Sequence, residues 1–175
     1  MEAVMSGMAK VESPVNEDMP VMPVKVSANP PGAPATAEAS SAESPTVTPA
    51  EPPAAAEPVV LKSGEFQDID GFHKGTGAAT IYLGPDGSLL LRFEDFKVTN
   101  GPELHVVLSP YGGPEEVGGR LMSAGWIDLG KLKGNIGNQN YVIRDDVDIG
   151  IHNSVTIWCK PFNVIFSVAV LETEN

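Results

Sequence analysis

The run Ser154-Val155-Thr156-Ile157-Trp158-Cys159-Lys160-Pro161-Phe162-Asn163-Val164-Ile165-Phe166-Ser167-Val168-Ala169-Val170-Leu171 decides the fold class. It is dense in β-branched and aromatic residues, and Lys160-Pro161 splits it in two. Successive strand side chains point to opposite faces. One register therefore puts Val155, Ile157 and Cys159 on one face and Thr156, Trp158 and Lys160 on the other. In the second half, Phe162, Val164, Phe166, Val168 and Val170 fall on one side, with Ile165, Ala169 and Leu171 opposite, beside Asn163 and Ser167. A strand apolar on one face and half apolar on the other belongs inside a sheet, not at its edge. The short proline connection makes residues 155–160 and 163–171 antiparallel neighbours.

Working outward, the same short period recurs from Leu61 on. Residues 64–69, 78–83, 88–93, 104–108, 126–129 and 141–144 read as strands, bounded by Gly, Pro, Asn and Asp. Gly84-Pro85-Asp86-Gly87 is a hairpin signal, since proline presets φ and glycine tolerates positive φ. No window of helical length carries an i, i+3, i+4, i+7 stripe. The expected fold is all-β, an antiparallel β-sandwich or small barrel of roughly eight short strands.

Composition divides the 175 residues into two parts. All 11 aromatics lie at or after Phe66, and 11 of the 16 prolines at or before Pro58. The first part carries eight acidic groups against Lys10 and Lys25. Without aromatics, and with prolines that remove backbone donors, it lacks apolar area to offset ordering entropy. The expectation is a disordered Pro/Ala-rich acidic tether over residues 1–60 and one β domain over 61–175. Within the tether, Val21-Met22-Pro23-Val24-Lys25-Val26 is a weakly apolar patch.

A net charge of −12 with no cationic cluster argues against nucleic acid and against an anionic membrane surface. No apolar run reaches the ~18 residues of a membrane span. The Met1 end has no signal-peptide pattern. A tether joins two things, so an anchor or export signal upstream is the expectation. One cysteine excludes an internal disulfide.

Three stretches carry a resemblance: Gly101-Pro102-Glu103-Leu104-His105-Val106-Val107-Leu108-Ser109, the run from Gly125-Trp126-Ile127-Asp128-Leu129 through Leu132-Lys133-Gly134-Asn135-Ile136-Gly137-Asn138-Gln139-Asn140-Tyr141, and Ser154 to Phe166. In this order, after Gly64-Glu65-Phe66 and Gly75-Thr76-Gly77-Ala78-Ala79, they resemble the DM-thirteen domain family. That family occurs beside DOMON domains in the animal cuticle proteins Skeletor and Knickkopf, and in bacterial exported proteins. The resemblance covers residues 64–171. It implies an extracytoplasmic β domain with a redox or electron-transfer role rather than a classical enzyme, and Cys159 matches the family's single cysteine.

Redox or nucleophilic chemistry at Cys159 needs a thiolate, hence a nearby cation, metal or helix N-terminus. The competing reading makes Cys159 a small buried hydrophobe on the Val155/Ile157 face. His73, His105 and His152 form no ligand pair by spacing and read as exposed. A haem or copper site joining Cys159 to one histidine stays chemically open, with no motif that encodes it. Asp145, Asp146 and Asp148 read as a solvated turn, since the EF-hand pattern is absent. Asn135, Asn138, Gln139 and Asn140 beside Trp126, Tyr141 and Trp158 offer amides and stacking faces for a sugar or peptide. The alternative there is a structural loop built on side-chain turns. Two functions follow: a redox module working through Cys159 with an unidentified partner protein, or a noncatalytic module that binds a matrix polymer or partner.

Overall fold

The computed structural model describes residues 13–22, 57–114, 116 and 125–174. Nine antiparallel strands follow in chain order: β1 (Val59–Asp68), β2 (Gly75–Leu83), β3 (Leu89–Val98), β4 (Leu104–Ser109), β5 (Ile127–Lys131), β6 (Gln139–Ile143), β7 (Ser154–Cys159), β8 (Val164–Val170) and β9 (Glu172–Thr173). Their order in space is β5-β4-β7-β8-β1-β2-β3-β6, with β9 beside β1. β1 is the corner strand. Its first part, from Val59 to Glu65, pairs with β2, and Phe66, Gln67 and Asp68 turn to pair with β8. The sheet thereby curls into a nearly closed barrel, and its two end strands β5 and β6 approach each other.

The hairpin of residues 84–87 closes through Gly87 N–H to Gly84 O at 2.9 Å and Gly84 N–H to Ser88 O at 2.8 Å. Gly87 sits at φ 82°, where a side chain is disfavoured. Inside the barrel Phe66, Phe93 and Phe96 meet with ring centroids 4.9 Å apart. Around them pack Ile81, Leu91, Val106, Leu108, Ile143, Val155, Ile157 and Ala169, one core fed by both halves of the sheet.

β7 and β8 are antiparallel neighbours inside the sheet, as their apolar density requires. The alternation expected for β8 does not run its full length. Ile157 pairs with Ser167 and Trp158 with Ile165, leaving Phe166 as the extra residue of a bulge. A bulge flips the facing of everything beyond it. Phe166 therefore enters the main core with Ala169 and Leu171, whereas Val168 joins Ile165 on the outer face, near Ile69, Tyr111 and Trp126. Phe162 lies in the turn before the strand and is exposed.

The tether expectation changes for residues 13–22, which lie against the domain. Val15 N–H donates to Ile136 O at 2.8 Å and Glu17 N–H to Asn138 O at 2.9 Å. The Glu17 carboxylate takes Asn140 N–H at 2.7 Å and Lys133 Nζ at 2.7 and 2.8 Å. Arg92 Nη1 reaches Glu17 O at 3.1 Å, and Met22 is buried. The segment needs no core of its own, because the outer edge of β6 and the loop before it supply partners for its backbone. Of the rest of the expected tether, Val59 and Val60 open β1, and residues 1–12 and 23–56 lie outside the described residues.

Candidate redox site

β7 ends at Cys159 and β4 begins at Leu104, and the two residues are paired across the sheet. The loop that feeds β4 must therefore pass over the end of β7. Cys159 is fully buried, and its Sγ donates to Pro102 O at 3.0 Å. The cover is one loop thick: Pro102 and Glu103, the residues over the sulfur, are themselves exposed. Lys160 N–H to Glu103 O (3.3 Å) and Leu132 N–H to Leu104 O (2.7 Å) hold its far end. Glu103 lies at φ 51°, a left-handed conformation that costs a non-glycine residue about 1 kcal/mol or more. At Gly101 a Cβ would stand 2.6 Å from Phe166 Cζ, so only glycine fits without displacing the ring.

Beside this loop opens a cleft of about 490 Å³. Asn100, Gly101 and Glu103 form one wall, residues 131–135 the other, and Ser13 of the docked segment closes an end.

The histidine most easily imagined as a co-ligand stands on the wrong side. His105 pairs with Trp158, one position along from the Leu104–Cys159 pair. Alternation then sends Sγ into the core and the imidazole to the outer face, against Trp158 at 6.2 Å. Among the described residues no group of three His, Cys, Asp or Glu is placed to hold a metal ion. A haem or copper shared by Cys159 and His105 does not fit this arrangement.

On the outer face His105 is buried, with Nδ1 at 2.9 and 3.0 Å from the two Asp128 carboxylate oxygens. Trp126 and Trp158 meet edge to face at 6.3 Å, around a hollow of about 160 Å³ lined also by Val107, Asp128 and Lys160. His105 Nε2, Trp126 Nε1 and Thr156 Oγ1 are buried without a hydrogen-bond partner.

The other candidates divide by sheet. Gln139 is fully buried, donating to Gly134 O at 2.7 Å and accepting from Tyr141 Oη at 2.7 Å. Burial pushes the Tyr141 phenol up, against the opposing hydrogen bond from Lys133 N–H. Asn138 accepts Asp95 N–H at 3.0 Å. The structure thus brings Trp126 to Trp158, and Gln139 to Tyr141, but sets the two pairs on different parts of the barrel. The amides of this loop serve the chain itself: Gly137 lies so close to Val15 O, and Gly134 to Ser13 O, that neither tolerates a Cβ. Asn135, one of the loop carboxamides, and Arg92, unremarked in sequence, are residues that the docked segment uses beside Lys133 and Asn140.

Two histidines expected to be exposed are buried. Besides His105, His152 is 2% exposed, with Nδ1 2.7 Å from Asp148 O and Nε2 2.9 Å from Gly125 O. Lys62, buried, donates to His152 O, and desolvation lowers its pKa. His73 lies 2.7 Å from Asp70, whose carboxyl is held down to about 2 by that contact and by the Phe72 and His73 N–H groups. The acidic run is divided among local tasks: Asp146 pairs with Arg144, and Asp148 caps the 3-10 turn Ile149–Ile151 by accepting Gly150 N–H.

A family model described as electron transfer DM13 matches residues 65–171, the stretch that builds the barrel and the loop over Cys159. The chain belongs to the DM13 electron-transfer family. No curated protein and no solved structure matches it. Within this DM13 domain the match takes in Cys159, its cover and the outer-face aromatic cluster, but stops short of residues 13–22.

Proposed function

We propose that this DM13 domain passes electrons by thiol–disulfide exchange in an extracytoplasmic compartment, with Cys159 Sγ as the reacting atom. One observation carries the reading: the chain's single sulfur nucleophile lies under a one-loop cover, 3.0 Å from Pro102 O, beside the cleft. Opening of residues 100–103 presents the sulfur. The thiol loses its proton to water, and the thiolate attacks one sulfur of a partner protein's disulfide. A mixed disulfide with Cys159 forms, and the partner's other sulfur leaves as a thiolate. A second partner's thiolate then attacks the Cys159 sulfur of the mixed disulfide, so the first partner leaves with both sulfurs reduced. A further thiolate of the second partner attacks that partner's own sulfur in the new mixed disulfide, closing its disulfide and releasing Cys159 as a thiolate that takes up a proton. Two electrons have passed from the second partner to the first. A cover closed between turnovers shields a lone thiol from over-oxidation, which suits an oxidising compartment.

The test is reaction of the folded full chain with a thiopyridyl disulfide. One equivalent of pyridinethione should be released, and none from Cys159→Ala. Release only after denaturation overturns the mechanism. Location is checked by protease digestion of cells expressing the protein after any outer membrane has been opened and with the inner membrane intact, where protection of the domain counts against an extracytoplasmic site.

A second reading, noncatalytic binding of a matrix polymer or partner protein, is favoured by the Trp126–Trp158 pair and its hollow. Trp158→Ala would abolish binding in that case and leave thiol reactivity intact.

A further inference from the structure

One residue that lines the cleft beside Cys159 carries a buried donor with nothing to bond. Asn135 lines it, is 4% exposed, and spends only half of its carboxamide: Oδ1 accepts Ser13 N–H at 2.7 Å, while Nδ2 has no partner. A buried amide donor left unpaired costs about 1–3 kcal/mol. A carboxamide whose oxygen already takes a backbone N–H has its nitrogen set to donate to a carbonyl on the same or an adjacent extended chain. The loop that carries Asn135 demonstrably reads extended backbone, through Val15 N–H to Ile136 O and Glu17 N–H to Asn138 O.

The charges around the cleft set a further condition. Lys131 faces Glu103 at 3.4 Å and Lys133 is held by Glu17 at 2.7 Å, so the ammonium groups are already matched by carboxylates. The free recognition element is a neutral donor, which calls for a neutral acceptor and not for an anion. At about 490 Å³ the cleft lies within the roughly 300–1,000 Å³ of ordinary ligand sites. It has room for more than the water molecule that could satisfy one N–H.

We propose that this cleft binds an extended polypeptide strand of the partner protein, with Asn135 Nδ2 donating to a backbone carbonyl of that strand. The inference deepens the exchange reading, on which it rests, by naming the substrate as polypeptide rather than a small disulfide. The strand lies along the wall of Gly101 and Glu103, whose intervening Pro102 O holds Sγ. Binding thus places the partner's disulfide against the loop that must open.

The test uses a blocked alanine pentapeptide without cysteine, titrated into the full chain while backbone amide resonances of residues 100–104 and 131–135 are followed. The expected result is a saturable shift confined to those residues. Asn135→Asp keeps an acceptor for Ser13 N–H and removes the donor, and should weaken binding at least tenfold. N-methylacetamide at the same carbonyl concentration should not saturate. Absence of a saturable shift in the unaltered chain overturns the proposal, whether or not the variant folds. Equal affinity in a folded Asn135→Asp, or equal saturation by N-methylacetamide, overturns it too. No thiol takes part, so the outcome stands apart from the thiopyridyl test of Cys159.

Discussion

Glu17 is the anchor of the docked segment, and Glu17→Ala isolates its contribution. Its carboxylate takes Asn140 N–H at 2.7 Å and both oxygens lie within 2.8 Å of Lys133 Nζ. Hydrogen bonds to a charged group are worth about 1.5–3 kcal/mol. The Glu17 side chain is 34% and that of Lys133 41% exposed, so water screens the pair and its ionic part is worth roughly 0–1 kcal/mol. The docking equilibrium should therefore lose about 1–2 kcal/mol, or roughly five- to thirtyfold, given about 1.4 kcal/mol per decade. Hydrogen exchange at Val15 N–H reads it directly, because that amide is protected only while it donates to Ile136 O. Its protection should fall by the same factor, with the core amides of β7 unchanged. Protection within twofold of the parent would refute the anchoring argument.

The same carboxylate sets a pH window. Burial alone would raise the Glu17 pKa, but the hydrogen bonds from Lys133 and Asn140 and the nearby cations outweigh it, so the net shift from 4.5 is downward. A depressed carboxylate contributes stability that is fully present above its unfolded value and is lost as pH falls through the folded one. Val15 protection should hold down to about pH 5 and decline below 4.5. In Glu17→Gln that acid-dependent step should disappear.

Cys159→Ala should cost about 1–2 kcal/mol by denaturant unfolding, and Cys159→Ser no more, because the hydroxyl can take over donation to Pro102 O; a serine variant worse by 2 kcal/mol would contradict that bond. Gly101→Ala drives a methyl into Phe166 and should cost about 1–3 kcal/mol while speeding thiol labelling at least tenfold; unchanged labelling would mean that the loop does not gate the sulfur. Phe166→Ala should be among the most damaging changes, about 3–5 kcal/mol, and a loss below 1 kcal/mol would remove it from the core. The Asp70 carboxyl should titrate by NMR with a midpoint near 2, its contact with His73 intact above 3.8 and lost through that midpoint; a midpoint near 3.8 would dissolve the turn that residues 70–73 make.

The strands and the 84–87 hairpin are legible in sequence because period-two alternation and turn residues are local signals. The bulge at Phe166 is not, since it depends on which residue of β7 faces which residue of β8, a register decided across the pair. That one register shift moves Val168 from the core face to the outer face, while Phe162 escapes burial because it lies in the turn before β8. Cys159 on the Val155/Ile157 face was readable, and so was Trp158 opposite, because both precede the disturbance. The two buried histidines were missed for a related reason: their partners, Asp128, Asp148 O and Gly125 O, lie between 4 and 27 residues away, and backbone carbonyls leave no mark in composition.

The docked segment shows a harder limit and why the cleft escaped notice. Composition gives residues 13–22 no core of their own, but docking on an existing edge asks for something else: exposed backbone groups, a charge of the right sign and no side chain in the way. Gly134 and Gly137 provide the clearance and Lys133 the charge, 111 or more residues beyond Met22. Read alone, those glycines look like loop punctuation and Asn135 like one more amide in a polar run. Only with Ser13 in place does half of the Asn135 carboxamide become spoken for and the other half stand out as an unpartnered buried donor, on a residue that lines the cleft beside the sulfur. The site is therefore a property of chain closure. Two distant segments and the loop over Cys159 have to meet before any of their residues has a chemical task.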